Sequence, residues 1–354
     1  MKKYLYLLLA LIFVQCASTE GTNENSQICV DLGSAMGKMQ TLDPSVYGDI
    51  IESTFSVKLE SPENITIGYL VEVKADENYI YCMDRDWSIY TFDRAGKFIG
   101  HISKRGEGPD EYALISDFIP NPEKQEIKVL NYGNNILTYT FDGKFISSLK
   151  FPENVSEVTN LGNQFVGYVP FFKDKEHLCI LDDSLKIIDT IYPEREIVTP
   201  ESMSLIPMIQ MNGGANYLSY TLPLDLCSYL LMPDGTVKKD IEIKLGDYAA
   251  PIEIETSAEK YQEIAMNGPY VLGLWWKHIG NYVFLSYVHE KGNHKVLYSV
   301  KKNMFWEDKE EQSKGILVDQ ETGTYFWPKW YYEDYGICAV EDEESTSLLF
   351  VKIK

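Results

Sequence analysis

The chain is expected to be an all-β protein: a six-bladed β-propeller of four-stranded antiparallel blades, closed by an N-terminal strand, with one short helix inserted between blades four and five. Three observations predict this. A short β-type run opens six times, at Tyr79-Ile80-Tyr81, Ile127-Lys128-Val129, Phe165-Val166-Gly167, Tyr217-Leu218-Ser219, Tyr282-Val283-Phe284 and Tyr335-Gly336-Ile337. Each opening leads, after a polar turn, into an alternating partner run, from Ile89-Tyr90-Thr91-Phe92 in the first to Leu348-Leu349-Phe350-Val351 in the last. The spacing, roughly 40 to 65 residues, is that of a blade array, because one small sheet cannot bury both its faces until a neighbour stacks on it.

The N-terminus sets the compartment. Met1-Lys2-Lys3 is a basic start, and the apolar run Tyr4 to Val14 is too short for the roughly 20 residues that span a bilayer, so residues 1–15 read as a signal peptide. The run ends at Phe13-Val14-Gln15-Cys16, which looks like a bacterial lipoprotein cleavage site with Cys16 as the lipidated first residue, although Gln15 departs from the usual small residue. Residues 16–27 are then a flexible polar leader, and residues 28–354 are the propeller domain. A lipid on Cys16 would hold the domain to a membrane.

The blades follow in order. Blade one occupies about 67–103, with runs Gly68 to Val73, Tyr79 to Met83, Ser88 to Phe92 and Phe98 to Ile102 separated by turns at 76–78, 84–86 and 93–97. Blade two repeats the plan over 114–151, blade three over 155–192 and blade four over 205–245. The period then stretches, and Thr256-Ser257-Ala258-Glu259 resembles a capping box opening a helix at about 257–266, stopped by Asn267-Gly268-Pro269. Blade five occupies 270–306 and blade six 315–354. Closure of the ring falls to Phe55-Ser56-Val57-Lys58-Leu59, which alternates apolar and polar and should complete the sheet ending in Phe350-Val351-Lys352-Ile353. Ile28-Cys29-Val30-Asp31-Leu32 alternates in the same way.

Composition narrows the function classes. A formal charge of −21 disfavours nucleic acid and anionic lipid surfaces, both of which need basic patches, and loss of Lys2 and Lys3 with the signal peptide makes it more negative. Neutral sugars, peptides, cations or a basic protein face remain. Of six cysteines, the five beyond Cys16 show no metal-binding spacing, and Cys82, Cys179, Cys227 and Cys338 lie in or beside strands, where a free cysteine is usually a small core residue.

The sharpest local motif is Ser103-Lys104-Arg105-Gly106-Glu107-Gly108-Pro109-Asp110-Glu111-Tyr112, between blades one and two. With Phe92-Asp93-Arg94-Ala95-Gly96-Lys97-Phe98-Ile99 before it and Ile115-Ser116-Asp117-Phe118 after it, the sequence resembles the six-bladed β-propeller lipoproteins of Gram-negative gut anaerobes, relatives of NHL-repeat propellers. The resemblance implies the fold and a surface or periplasmic lipoprotein; it implies no ligand.

The loop has an architectural reading, in which Arg105 and Glu111 pair between blades and Tyr112 packs under the crossing. It also has a functional one. Loops joining an outer strand to the next inner strand lie on the face where propellers bind, so Arg105, Glu107, Asp110, Glu111 and Tyr112 would offer charges and a ring at the channel mouth. Trp87, Tyr132 and Phe172 place aromatics at corresponding turns of that face, suited to stacking on a sugar or gripping a peptide, or else to packing between blades. Catalytic motifs are missing: there is no nucleophile elbow, P-loop or HExxH, and no acid–base pair can be assigned. No cofactor is called for. Acidic turns such as Asp84-Arg85-Asp86 and Asp182-Asp183 suit calcium through their carboxylates or plain solvation, and His289 and His294 share one loop with Glu290, a weak candidate for a metal.

The preferred function is non-catalytic: a cell-envelope lipoprotein, held to the outer membrane only by its lipid, that binds a glycan, peptide or partner protein through the loop face. The alternative is a lactonase-like hydrolase or lyase with an ion on the channel axis. It needs inward Asp, Asn, Glu or His from three blades, and no such recurrence is visible at the inner-strand starts. A third reading, a structural partner in an envelope complex, predicts an exposed apolar patch around Phe326-Trp327-Pro328-Lys329-Trp330-Tyr331-Tyr332.

Overall fold

The computed structural model describes residues 27–132, 135–151, 155–170, 176–193, 209–214, 216–223, 225–250, 268–290, 292–309, 313–341 and 345–354. Strand alternation shares each sheet's apolar residues between two neighbours. In blade one, Ile80, Cys82, Tyr90 and Phe92 enter the core shared with blade six. The intervening Tyr81, Met83 and Ile89 enter the core shared with blade two. The same division repeats round the ring, giving a separate hydrophobic core at each of the six blade junctions.

The blade strands pair antiparallel in sequence order from the axis outward, except that the outermost strand of blade six comes from the N-terminal segment. The first strands are Leu70–Ala75, Ile115–Asn121, Glu157–Leu161, Gln210–Gly213, Leu272–Ile279 and Trp330–Tyr332. Those of blades two and three, three and four, and six and one lie alongside one another, which marks the first strand as the one nearest the axis. Crowding there excludes side chains at one point: a Cβ on Gly213 would run into the Asn160 carbonyl oxygen of the neighbouring inner strand.

The N-terminal strand closes the ring as expected. Ile51–Lys58 pairs antiparallel with Thr346–Ile353, and Phe55 sits opposite Phe350. The strand completes blade six as its fourth member. The preceding segment straps the outside of two further blades. Ile28–Asp31 runs parallel along the outer strand of blade four, Val237–Lys244, and Gln40–Thr41 parallel along that of blade five, Met304–Glu307. Both outer edges thereby gain backbone partners.

Two short helices in this strap, Leu32–Ala35 and Pro44–Ile50, were not expected from the sequence. Local chemistry accounts for both. The Asp31 carboxylate accepts from Ser34 N and that of Asp43 from Ser45 N, and Pro44 occupies a first-turn position, where its missing N–H costs nothing. The helices bury Leu32 and Ile50 into the junctions on either side of blade five.

Blade six departs from expectation in extent. It begins at Trp330, not near Gly315, and Ile316–Asp319 with Thr324–Phe326 forms a separate two-stranded hairpin. Ile316, Phe326 and Trp327 wedge into the junction of blades five and six. The expected apolar patch is therefore packing, with Phe326, Trp327 and Trp330 all buried. Cys82, Cys179 and Cys227 are buried, Cys338 is half-buried and Cys29 is exposed, none of them in a disulfide among the described residues. The expected helix at 257–266, the signal peptide, and Cys16 with its leader lie outside the described residues. No helix among the described residues is long and apolar enough to cross a membrane.

Candidate functional site

Leu70 pairs with Asp84, beside the turn that carries Trp87, and Ile115 pairs with Asn131, beside Tyr132. The starts of the inner strands, the turns between second and third strands, and the 103–114 crossing therefore share one face. A few residues in from that face, the axis is lined by charge.

Three carboxylates occupy equivalent positions in consecutive blades. Glu72 pairs with Met83, Asp117 with Leu130 and Glu157 with Tyr168, and each is followed by a buried residue, Val73, Phe118 or Val158. In blades one and two a register shift of one residue precedes the acid. Such a bulge re-aims the side chain relative to a regular strand.

Asp117 links three blades. Lys74 Nζ of blade one donates to its Oδ1 at 2.7 Å, and Val158 N of blade three donates to its Oδ2 at 3.1 Å. The ammonium also donates to the Phe118 carbonyl at 2.7 Å and lies over the Phe118 ring. Burial works against the Lys74 charge, but Asp117 and Glu72 outweigh it and hold its pKa above the usual lysine value. Losing one partner of such an enclosed pair strands the other's charge, at a cost of about 3 kcal/mol.

Glu72 and Glu157 have no such partner. Neither accepts a hydrogen bond among the described residues, and burial raises the carboxyl pKa of both, that of Glu157 well above the ordinary value. Across from them, blade five contributes Lys277, whose ammonium lies over the rings of Trp275 and, at 5.1 Å, Tyr331. It too makes no hydrogen bond among the described residues, and burial lowers its pKa despite the pull of Glu72. Asn212 of blade four faces Tyr331 of blade six across the channel; burial raises the Tyr331 hydroxyl pKa, and Asn212 pulls it part of the way back down.

The rim is cationic and aromatic. Tyr69, 51% exposed, carries the Arg85 guanidinium at 4.9 Å and Lys329 Nζ at 4.8 Å from its ring centroid. Lys329 also lies over Trp330 at 4.5 Å and donates to the Leu70 carbonyl, tying blade six to blade one.

The residues singled out from the sequence divide between rim and core. Tyr112 is fully buried between blades one and two: its hydroxyl donates to the Trp87 carbonyl at 2.7 Å and accepts from Lys104 N at 3.0 Å. Its ring is core, and stacking on a ligand is closed to it. Trp87 packs half-buried against the same core. Glu111 turns into its own loop and accepts from Gly108 N, so the expected pair with Arg105 is replaced by a loop closure. Asp110 is half-buried, and its carbonyl accepts from Tyr139 Oη. Arg105 and Glu107 are exposed, as is Tyr132 at 73%. Phe172 lies outside the described residues.

The inward acids and lysines went unnoticed in the sequence, yet a signal was there. Glu72-Val73, Asp117-Phe118 and Glu157-Val158 each set an acid before a core residue ahead of a blade's hairpin, and Glu72 and Lys74 share a strand face by period.

The turns weighed for calcium are consumed by their own donors. Asp84 accepts from Gly68, Asp86 and Ser88 backbone N–H groups and from Tyr90 Oη, while Asp182 accepts from Ser184 and Lys186 N–H. His294 Nδ1 lies 2.8 Å from Glu307 Oε1 and its ring stacks on Tyr287, so this imidazole is held by protein groups. Among the described residues, no three His, Cys, Asp or Glu side chains are grouped closely enough to hold a metal ion.

A ring of blades around a charged axis defines the class, and comparison places the chain within it. The family described as "Domain of unknown function (DUF4934)" matches residues 27–349, and the chain belongs to that family. The crystal structure of a "Putative exported protein (BF0058)" from Bacteroides fragilis NCTC 9343 superposes with a TM-score of 0.67 at 16% identity, covering 93% of this chain and 100% of that one. More distant likenesses include the Pan2 WD40 domain of Neurospora crassa, with a TM-score of 0.41 at 12% identity over 79% of this chain and 74% of that one. No curated protein matches in sequence.

Proposed function

We propose that the protein is an exported lipoprotein of the cell envelope that binds its ligand, a glycan, peptide or partner protein, without chemistry, at the mouth of the propeller channel. The observation that carries this reading is the convergence of polar side chains from all six blades: Glu72 and Lys74, Asp117, Glu157, Asn212, Lys277 and Tyr331 in turn. Polar groups collected at a concave, aromatic-rimmed site are the usual ingredients of ligand recognition. The resemblance of the motif around Arg105 to propeller lipoproteins, and the fold shared with an exported protein, support the address.

The test is a screen of glycan and peptide arrays, and of envelope proteins, with the purified chain. A specific ligand whose affinity falls in Tyr132→Ala and Lys329→Ala is expected. Failure of every class to bind would overturn the reading. For the anchor, incorporation of a palmitate analogue should be lost in Cys16→Ser; an unlipidated wild-type chain would refute it.

The lactonase-like alternative needs acids from three blades; Glu72, Asp117 and Glu157 come from three, but among the described residues they are not grouped closely enough to hold an ion. An ion there would sit beside Lys74, whose ammonium already holds Asp117. Lactone turnover that depends on added Ca²⁺ or Zn²⁺ would select it.

A further inference from the structure

From the channel rim we infer that the ligand is a glycan carrying an acidic sugar, whose carboxylate is held between Arg85 of blade one and Lys329 of blade six. This rests on the binding reading above and names the ligand class for that site. The argument starts from two cations gathered on one ring. Arg85 and Lys329 are both exposed, and their charged groups lie 4.9 Å and 4.8 Å from the centroid of Tyr69. Lys329 Nζ is further fixed by the Trp330 ring, 4.5 Å away, and by one hydrogen bond to the Leu70 carbonyl at 2.9 Å. Rings therefore position both head groups and leave most of their N–H donors free.

No carboxylate of the described residues pairs with either cation, although acids outnumber bases 53 to 32 in the chain. Asp84, next to Arg85, is buried and turned away, accepting from Gly68, Asp86 and Ser88 N–H and from Tyr90 Oη. A guanidinium fork beside an ammonium matches the two oxygens of one carboxylate through charge-assisted hydrogen bonds. The acidic field of the chain, with exposed Asp86 and Glu107 on the same face, repels dense polyanions. A ligand with an isolated carboxylate on a neutral body meets both conditions.

The backbone selects a glycan over a peptide. Main-chain N–H groups at this mouth are already taken: that of Arg85 by the Tyr69 carbonyl, that of Trp87 by Asp84 and that of Tyr132 by Leu114. An extended peptide recruits free main-chain groups as a ladder, whereas a sugar is read by side chains. Arg85 and Tyr132 each follow the second strand of their blade, so they occupy equivalent places in neighbouring blades. The Tyr132 ring, 73% exposed, offers its apolar face to a neutral sugar next to the acidic one.

The experiment uses the full-length chain in detergent, with titration calorimetry and thermal shift. The probes are a xylo-oligosaccharide bearing a single glucuronate, the same oligosaccharide with its carboxyl reduced to the alcohol, sialyllactose beside lactose, tetragalacturonate, and an acidic peptide. A ligand that binds only the folded state raises Tm with concentration. At least one singly charged oligosaccharide should bind about tenfold or more tightly than its neutral counterpart and more tightly than tetragalacturonate, and its affinity should fall as NaCl is raised. Arg85→Gln and Lys329→Gln, the latter keeping a donor for the Leu70 carbonyl, should each remove most of that preference and of the salt dependence without lowering Tm. Lys144→Ala, at an exposed pair with Asp142, serves as the neutral control.

Equal binding of charged and neutral oligosaccharides, or binding of the acidic peptide in place of any glycan, overturns this inference and leaves the binding reading standing. A preference for tetragalacturonate overturns the isolated charge, and an unchanged preference in both variants overturns the assignment of residues. Silence from every oligosaccharide overturns the inference; blank peptide and envelope-protein screens besides overturn the binding reading with it.

Discussion

Phe55 and Phe350 stack face to face, their ring centroids 4.9 Å apart and their planes 3° from parallel, and join the two ends of the propeller in one blade. The Arg94 guanidinium of blade one lies 5.1 Å from the Phe350 ring, and the Glu60 N–H donates to the Gly96 carbonyl, so the closing strand is fastened to the first blade as well as the last.

This contact makes ring closure testable by truncation. Deleting residues 17–27 should leave Tm nearly unchanged, while deletion through Leu59 should unfold the domain, since it removes the fourth strand of blade six and opens two junctions. Circular dichroism with thermal melts decides; a folded product of the longer deletion would refute the closure argument. Phe55→Ala, at a position 38% exposed, should cost about 1–2 kcal/mol through lost stacking and partial burial.

Tyr112→Phe should cost about 1–2 kcal/mol, because it removes the hydroxyl bridging the Trp87 carbonyl and Lys104 N–H while keeping the ring. Ligand affinity should be untouched. A large loss of binding at unchanged stability would return Tyr112 to the recognition surface.

The pair Lys74–Asp117 should behave as one unit. Asp117→Ala and Lys74→Met should each cost about 3 kcal/mol, and the double variant clearly less than their sum, because the second change removes the stranded charge. Denaturant titration of the four proteins gives the coupling; strict additivity would show that the pair is inert.

Glu157 carries a pH signature. Its pKa is raised in the folded chain above the unfolded value near 4.5, so the folded state binds the proton more tightly. Stability from this group is complete below that pH and is lost as pH rises through the folded pKa. Burial is the main cause, followed by the neighbouring Asp117 charge; Lys74 opposes the shift and Glu72 adds to it. Glu157→Gln should therefore gain stability relative to the wild type as pH rises above about 4.5, in melts at stepped pH. A constant difference across that range would mean the carboxyl is not enclosed.

Tyr132→Ala should weaken binding of a channel-mouth ligand with no change in Tm, as expected for a ring 73% exposed. Trp87→Ala should lower both, because its side chain packs on the core between blades one and two. Equal behaviour of the two variants would count against this division.

Periodicity made the blades legible in the sequence, and alternation made the closing strand legible, because both are local patterns that the backbone reads directly. The boundary of blade six was not: Gly315 to Phe326 has strand-like residues, and only the junction they fill shows that they wedge between blades instead of joining one. Among the site residues, exposure at Arg105, Glu107 and Tyr132 followed from their turns, whereas the burial of Tyr112 depended on the meeting of two blades.

The sequence by itself determined the repeat, the alternating faces and the acidic character of this protein, because each depends on residue order or composition alone. The tertiary structure decided which charges meet. Glu72, Asp117, Glu157 and Lys277 lie as far as 205 positions apart in the chain. They become neighbours only when the ring closes, for it is the packing of six inter-blade cores that turns the inner strands toward a common axis.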